Sequence, residues 1–186
     1  MAAVLNNPPA AKRWTFADLA QFDETERYEI DDGKLIPMAP APDIYHQRLS
    51  HKLNKLLSDF VESRQLGEVL YAPVEVVMAE DNVAQPDVLF IAKENAGIIK
   101  ARIEGAPDLV VEILSPSSIR RDRYEKREQY ARFSVKEYWI VDPASQSVEI
   151  LTLQDRNLVV HSLATGTGNA ESKVLSGLSI DVAKLF

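Results

Sequence analysis

Between Asp43 and about Gln65 the apolar residues Tyr45, Leu49, Leu53, Leu56, Leu57, Phe60 and Val61 recur every three or four positions. That spacing gathers them on one stripe of a helix, with Gly67 placed to stop it, and predicts a long amphipathic helix lying across a sheet. Upstream, TFADLAQF fits a short helix with Thr15 as N-cap and Asp18 three residues later as an approximate capping box. RYEIDDGKLIPM alternates about Asp32-Gly33, a dipeptide that favours a tight hairpin turn. Downstream, EVLYA, PVEVVMA and DVLFIA are strand-like; Pro73 splits the first two, and the polar run EDNVAQP reads as a turn between the last two. A weaker helical stretch follows, from about Asn95 to Glu104.

The next three segments form a unit. DLVVEIL, a helical stretch from about Ser117 to Phe133, and EYWIVD ended by Pro143 read as strand, helix, strand: a right-handed βαβ crossover with parallel strands. SVEILTL and LVVHSL pair as a hairpin through QDRN, and GLSIDVAKLF closes with a short strand or turn and a helical turn. The predicted class is α/β (α+β): a mixed β-sheet flanked by helices, with N- and C-terminal hairpins. Residues 13–186 are expected to form one domain behind a loose tail, 1–12, rich in Ala, Asn and Pro.

Composition narrows the function classes. The 186 residues are 46% hydrophobic and 26% charged, which suits a soluble globular chain. Cysteine is absent, which excludes disulfides and thiolate metal sites. The opening MAAVLNNPPAAKR lacks a basic start and a long apolar run, so no secretory signal is expected, and no apolar stretch approaches the roughly 18 residues of a membrane span. A cytoplasmic setting is expected. The net charge of -7 disfavours a protein that coats nucleic acid non-specifically. The charge is uneven, however: Arg120, Arg121, Arg123, Lys126, Arg127 and Arg132 face only Asp122, Glu125 and Glu128 in their segment. Such a helix either binds a polyanion locally or is a solvated, salt-bridged face.

The chemistry begins at LVVEILSP, residues 109–116, where Glu112 sits inside an apolar strand. A lone buried carboxylate costs several kcal/mol or more, so it must be paired, protonated or bound to metal. Asp87 follows Pro86 at the start of DVLFIA, and proline is tolerated at a strand's first residue, so Asp87 belongs near a sheet end. If DVLFIA and DLVVEIL are neighbours, the two acids converge. Oxygen ligands on a rigid sheet suit Mg²⁺ (or Mn²⁺), which keeps several waters and binds phosphate oxygens. Asp108 shares a strand face with Glu112, but four strand steps, about 13 Å, separate them, too far for one ion. In the following helix Asp122, Lys126 and Tyr130 share a face at i, i+4 and i+8; an ammonium there can offset developing charge, or it is merely a surface pair with Asp122. Gln85 shares a face with Asp87. Ser115 and Ser117 read as turn and N-cap residues, and His46 and His51, about 140° apart on a helix, cannot form an i, i+4 zinc pair.

Pro-Asp on one strand followed by an acid-X-lysine tripeptide on the next is the signature of the PD-(D/E)XK nuclease superfamily. Here PD stands at 86–87 and EIL at 112–114, so Leu114 occupies the lysine position. The segment APDLVVEILSPSSIRRDRYEKREQYARFSVKEYWIVDP closely resembles the bacterial Uma-type restriction endonuclease family, as do YEIDDGKLIPMAP, HQRL, QPDVLF and GLSIDVAKLF. The resemblance covers roughly residues 14–186. It implies a core in which Asp87 and Glu112 are metal ligands and Lys126, on the following helix, takes the lysine's part. It also places Glu29 and His46 near the pocket; on residues alone they read as a hairpin surface glutamate and a helix-start histidine.

Three readings stand open on the sequence. The first is a Mg²⁺-dependent DNA endonuclease, its basic helix gripping the backbone and a homodimer supplying two centres. The second is a nucleic-acid-binding or regulatory module on a nuclease fold that does not cut. The third is an oligomeric structural protein whose buried acids are simply paired.

Overall fold

The computed structural model describes residues 12–23, 26–38 and 43–186; the expected tail lies outside them except for Lys12. The predicted capping box appears, with Thr15 and Asp18 bonded reciprocally at the start of a 3₁₀ helix, Phe16–Gln21. Strands β1 (Tyr28–Asp31) and β2 (Lys34–Pro37) pair around Asp32-Gly33, both at positive φ. Helix α1 (Ile44–Arg64) buries Leu49, Leu53, Leu57 and Val61 on one stripe. At roughly 1.5–3 kcal/mol per buried aliphatic side chain, that stripe outweighs any helix propensity in fixing where α1 lies.

The strands that follow are β3 (Gly67–Tyr71), β4 (Val76–Ala79), β5 (Asn82–Ala84) and β6 (Val88–Ala92). The run EDNVAQP is therefore not all turn: its centre is β5, whose three residues are buried. Alternation could not reveal so short a strand, because Asn82 turns inward to serve Asp32 N, Gln129 and Arg132. The expected helix near Asn95 is a 3₁₀ segment, Lys93–Ile98, and Glu104 belongs instead to the two-residue strand β7 (Ile103–Glu104).

Next come β8 (Leu109–Ile113), a π-helical stretch Arg121–Lys126 that runs straight into helix α2 (Arg127–Arg132), and β9 (Glu137–Asp142). β8 and β9 are parallel, as the βαβ pattern requires. The hairpin of β10 (Ser147–Gln154) and β11 (Asn157–Thr165) is followed by β12 (Asn169–Glu171), β13 (Ser179–Asp181) and the terminal turn α3 (Val182–Leu185).

The class is mixed α and β, but the strands form three sheets instead of one. Six strands run in the order β11-β10-β9-β8-β6-β3, five in the order β2-β1-β5-β4-β7, and β12 pairs with β13. On the larger sheet, Val88, Phe90, Val111, Trp139 and Val141 pack with the stripe of α1. Val110, Tyr138 and Ile140 belong to the opposite face, with Tyr130 and Ala131 of α2. Strand side chains alternate between faces, so Glu112 falls on the α2 side with Val110. No helix among the described residues is long and apolar enough to cross a membrane.

Candidate active site

β6 and β8 are antiparallel neighbours, with Val88 opposite Val111, so the register carries Asp87 to a place opposite Glu112. Asp87 is anchored there by the backbone: Ile113 N–H donates to its Oδ2 at 2.8 Å. Glu112, 4% exposed, uses one oxygen only: Lys126 Nζ donates to Oε1 at 2.8 Å and the Tyr130 hydroxyl at 2.6 Å. Among the described residues Glu112 Oε2 and Asp87 Oδ1 accept no hydrogen bond. Both acids line a cavity of about 540 Å³ with Glu29, His46, Gln85, Arg121, Asp122 and Lys126.

The helix brings its share by an irregularity. Through the π-helical stretch Asp122 and Lys126 turn inward and are buried, as is Tyr130 one turn later. Single π turns recur at functional sites because they re-aim side chains without ending the helix. The Tyr138 hydroxyl donates to the Asp122 carbonyl at 3.0 Å and ties this stretch to β9. Ser118, not Ser117, holds the preceding turn, accepting from Ser115 N–H at 3.0 Å.

Glu29 is neither exposed nor peripheral. It is 3% exposed, accepts from Arg121 Nε and Nη2 at 3.0 and 2.8 Å and from Gln85 N–H at 2.9 Å, and lies 3.1 Å from Lys126 Nζ. A hairpin strand sandwiched between layers hides both its faces, so alternation misreads Glu29 as a surface residue. The Arg121 and Lys126 partners come from a helix some ninety positions away, and no local pattern announces them. His46, at the start of α1, is likewise drawn in, with Nε2 3.2 Å from the Ile113 carbonyl and 3.4 Å from Asp87 Oδ2. Gln85 meets Glu29 by its backbone, and its side-chain oxygen accepts from Arg27 at 2.7 Å. Arg27 was not foreseen; it precedes β1 in a segment where nothing but charge singles it out.

Charges in the cluster do not cancel. Five carboxylates line the cavity (Glu29, Asp43, Asp87, Glu112, Asp122) against three fixed cations (Arg27, Arg121, Lys126). Burial pushes the Glu112 carboxyl well above its ordinary range, and Asp122, Asp87 and Glu29 add to the push against Lys126. Burial also raises Asp122. For Glu29 burial acts the same way, but Lys126 and Arg121 outweigh it and hold the group below the usual range. Burial would lower Lys126; Glu112, Glu29 and Asp122 overcome that and hold its ammonium firmly protonated. Burial and Glu112 push the Tyr130 phenol far up, so it stays a donor. Asp87 raises the His46 imidazole against the opposing effect of burial.

The surplus of negative charge and the two free carboxylate oxygens fit a hard divalent cation. Among the described residues no three His, Cys, Asp or Glu side chains gather as a ready-made metal cage. Mg²⁺ does not need one, since it commonly takes one or two carboxylates and completes its shell with water and substrate oxygens. The donor set fits.

The basic helix does not offer a free cationic face. Arg121 is spent on Glu29, Arg123 on Asp142 and Glu149, Arg132 on Asp31, and Arg127 donates to the Leu158 carbonyl. Arg120, beside Glu125, is the most exposed of them, and Arg132 is exposed as well. The expected grip of this helix on a nucleic-acid backbone thus gives way to an internally paired face. Asp108 is also structural: Lys136 lies 2.6 Å from it, and Ala92 N–H donates to it at 2.7 Å. Leu114, at the lysine position of the tripeptide, is core.

Residues 14–183 match the model of the Uma2 family, described as "Putative restriction endonuclease". Among curated proteins none matches the chain. The fold is similar to the crystal structure of a "putative nuclease belonging to DUF820" from Anabaena variabilis, with a TM-score of 0.74 at 17% identity over 92% of this chain and 97% of that one. A weaker overlap with the type IIG restriction endonuclease BpuSI, TM-score 0.39 and 15% identity, takes in 66% of this chain but 14% of that much longer protein, and bears no weight.

Proposed function

Because the chain belongs to the Uma2 family, we propose that it is a Mg²⁺- or Mn²⁺-dependent endonuclease hydrolysing DNA phosphodiester bonds, with residues 13–186 acting as one restriction-endonuclease-like domain. Asp87 and Glu112 would hold the metal and Lys126 would assist. The observation that carries the reading is Glu112 itself. It is a buried carboxylate clamped at one oxygen by Lys126 and Tyr130, with the other oxygen unbonded among the described residues, in a cavity shared with Asp87.

A divalent ion bound there supplies Lewis acidity toward a phosphate oxygen and a more acidic water. The chain's own residues prepare for that chemistry. Ile113 N–H fixes Asp87, while Lys126 and Tyr130 fix Glu112, so neither acid must reorganise. Lys126 has three donors; Glu112 and Glu29 take two, and Asp122 at 3.7 Å is too far for a full hydrogen bond. The remaining N–H is available to a water or phosphate oxygen. Held protonated, Lys126 acts as a fixed positive charge and donor and does not serve as the base. Glu29 and Arg121 keep it aimed.

Replacing Asp87 or Glu112 with Ala is expected to abolish Mg²⁺-dependent cleavage of plasmid and linear DNA while circular dichroism stays unchanged. Full cleavage by the purified double variant would overturn the assignment. The non-cleaving alternative is favoured by Leu114 standing where the motif has lysine; DNA binding without cleavage at any Mg²⁺ or Mn²⁺ concentration selects it. A homodimer is part of the proposal, since cutting both strands of a duplex needs two centres. Sedimentation showing only monomer on cleaved duplex DNA would remove that part.

A further inference from the structure

The acidic cavity opens into a second one of different character. A groove of about 460 Å³ shares Arg27, His46, Ala72 and Asp87 with it and continues along α1. That volume lies in the range of pockets that enclose one small ligand. Apart from Asp87 at the shared rim, no carboxylate among the described residues lines this groove. Its wall is instead a stripe of polar groups on α1, Gln47, Ser50, His51 and Asn54, at i, i+3, i+4 and i+7 and therefore on one helix face. Across from them stands Tyr71, the last residue of β3, with 59% of its surface exposed. Two polar atoms on this wall, Asn54 Oδ1 and His46 Nδ1, are buried with no hydrogen-bond partner among the described residues. Buried polar atoms are rarely left so unless something else satisfies them. Arg27 stands at the junction of the two cavities with no ion pair among the described residues, its guanidinium bonded only to Gln85.

From this juxtaposition we infer that the groove is a subsite for one unpaired nucleotide of the DNA strand whose neighbouring phosphate sits at Asp87 and Glu112. A polyanion runs on poorly through a cavity lined by five carboxylates, but it can leave by a groove that holds Arg27 and, among the described residues, no carboxylate beyond Asp87. Arg27 takes the phosphate, the Tyr71 ring stacks on the base, and the side-chain amides of Gln47 and Asn54 meet the base edge. Stacking on a side-chain ring and contact with the Watson–Crick edge both require a base free of its partner. The preferred substrate is therefore DNA with an unpaired segment at the scissile position, as in a single strand or a locally opened duplex. This rests on the proposed nuclease site and adds what that site accepts.

The test is fluorescence anisotropy with the full chain carrying Glu112→Gln, in Mg²⁺, against a labelled single-stranded oligonucleotide and a blunt duplex of the same sequence. The single strand is expected to bind more tightly. Adding Tyr71→Ala should weaken it roughly tenfold, the loss of one base stack. Asn54→Asp, which places a carboxylate in the groove, should weaken it as well, with duplex binding unchanged in both cases. Preference for the duplex, or single-strand affinity within about twofold in both variants, would overturn the subsite. The two proposals fail separately. If the unsubstituted chain never cleaves, yet binding depends on Tyr71, the subsite stands without the catalysis; if it cleaves and both variants bind normally, the catalysis stands without the subsite.

Discussion

Two glutamates stand near opposite ends of one parallel strand pair, both buried, and they are unlike in every other respect. Glu137 lies at the N-terminal end of β9, opposite Leu109, and Glu112 toward the C-terminal end of β8, opposite Ile140. Glu137 is surrounded by neutral donors: Trp139 Nε1 and the Ser172 hydroxyl at 2.6 Å on Oε1, and the N–H groups of Lys173 and Val174 at 2.7 and 2.9 Å on Oε2. Both oxygens are occupied, and the loop around Ser172 is pinned to the sheet. Glu112 spends one oxygen on Lys126 and Tyr130, shares its cavity with four further carboxylates, and is pushed up by burial and by Asp122, Asp87 and Glu29. A closed shell of neutral donors marks a carboxylate that holds structure together. A half-filled shell with surplus charge is what the proposed cation site requires, and it sits where open α/β sheets place their ligands, toward the C-terminal strand ends.

The largest expected effect that separates the two is on activity. Glu112→Ala should remove detectable Mg²⁺-dependent cleavage, whereas any Glu137→Ala protein that folds should cleave at nearly the normal rate; a nuclease assay per mole of folded protein decides. Stability should divide the other way round Lys126. Lys126→Met leaves Glu112, Glu29 and Asp122 without their shared cation and should cost about 3–5 kcal/mol in urea unfolding, with part regained on adding Mg²⁺. Glu137→Ala strands buried donors and should cost about 3 kcal/mol, with Mg²⁺ adding no more stability than it adds to the unsubstituted chain. A larger gain from Mg²⁺ in the Glu137 variant than in the unsubstituted chain would erase the contrast between the two glutamates. Tyr130→Phe deletes one hydrogen bond to a charged group, for about 1.5–3 kcal/mol, and should lower the cleavage rate while leaving its pH profile intact, because the phenol donates without titrating.

The smallest effect is in pH. Glu29 titrates below its ordinary range in the folded chain, since Lys126 and Arg121 outweigh burial. Its contribution to stability is therefore complete above the unfolded carboxyl pKa, about 4.3, and fades as pH falls through the lower folded value. The stability gap between the unsubstituted chain and Glu29→Gln, followed by thermal melts, should be constant above that pH and close in acid. A gap that widened in acid would contradict the pairing.

Much of this was legible in the residues. Pro86 placed Asp87 at a strand start, the apolar run around Glu112 made its carboxylate conspicuous, and the i, i+4, i+8 spacing put Asp122, Lys126 and Tyr130 on one face. These are local signals, and the structure brings all five side chains to one cavity or its wall. What stayed hidden is tertiary. Glu29 looks like a surface residue until the hairpin is covered on both faces, and β5 looks like a turn until its asparagine is seen serving three partners. The π-helical stretch has no proline, glycine or other mark in RDRYEK. The pairing of the basic helix was legible as a pattern of alternating charge but not as a set of partners, because Glu29, Asp142 and Glu149 lie far off in sequence.

Whether Asp87 and Glu112 jointly hold one divalent cation can be decided by titrating Mn²⁺ into the full chain and reading the free ion by electron paramagnetic resonance. A saturable site is expected in the unsubstituted chain, lost in both Asp87→Ala and Glu112→Ala and retained in Glu137→Ala. Equal Mn²⁺ uptake by all four proteins would contradict it.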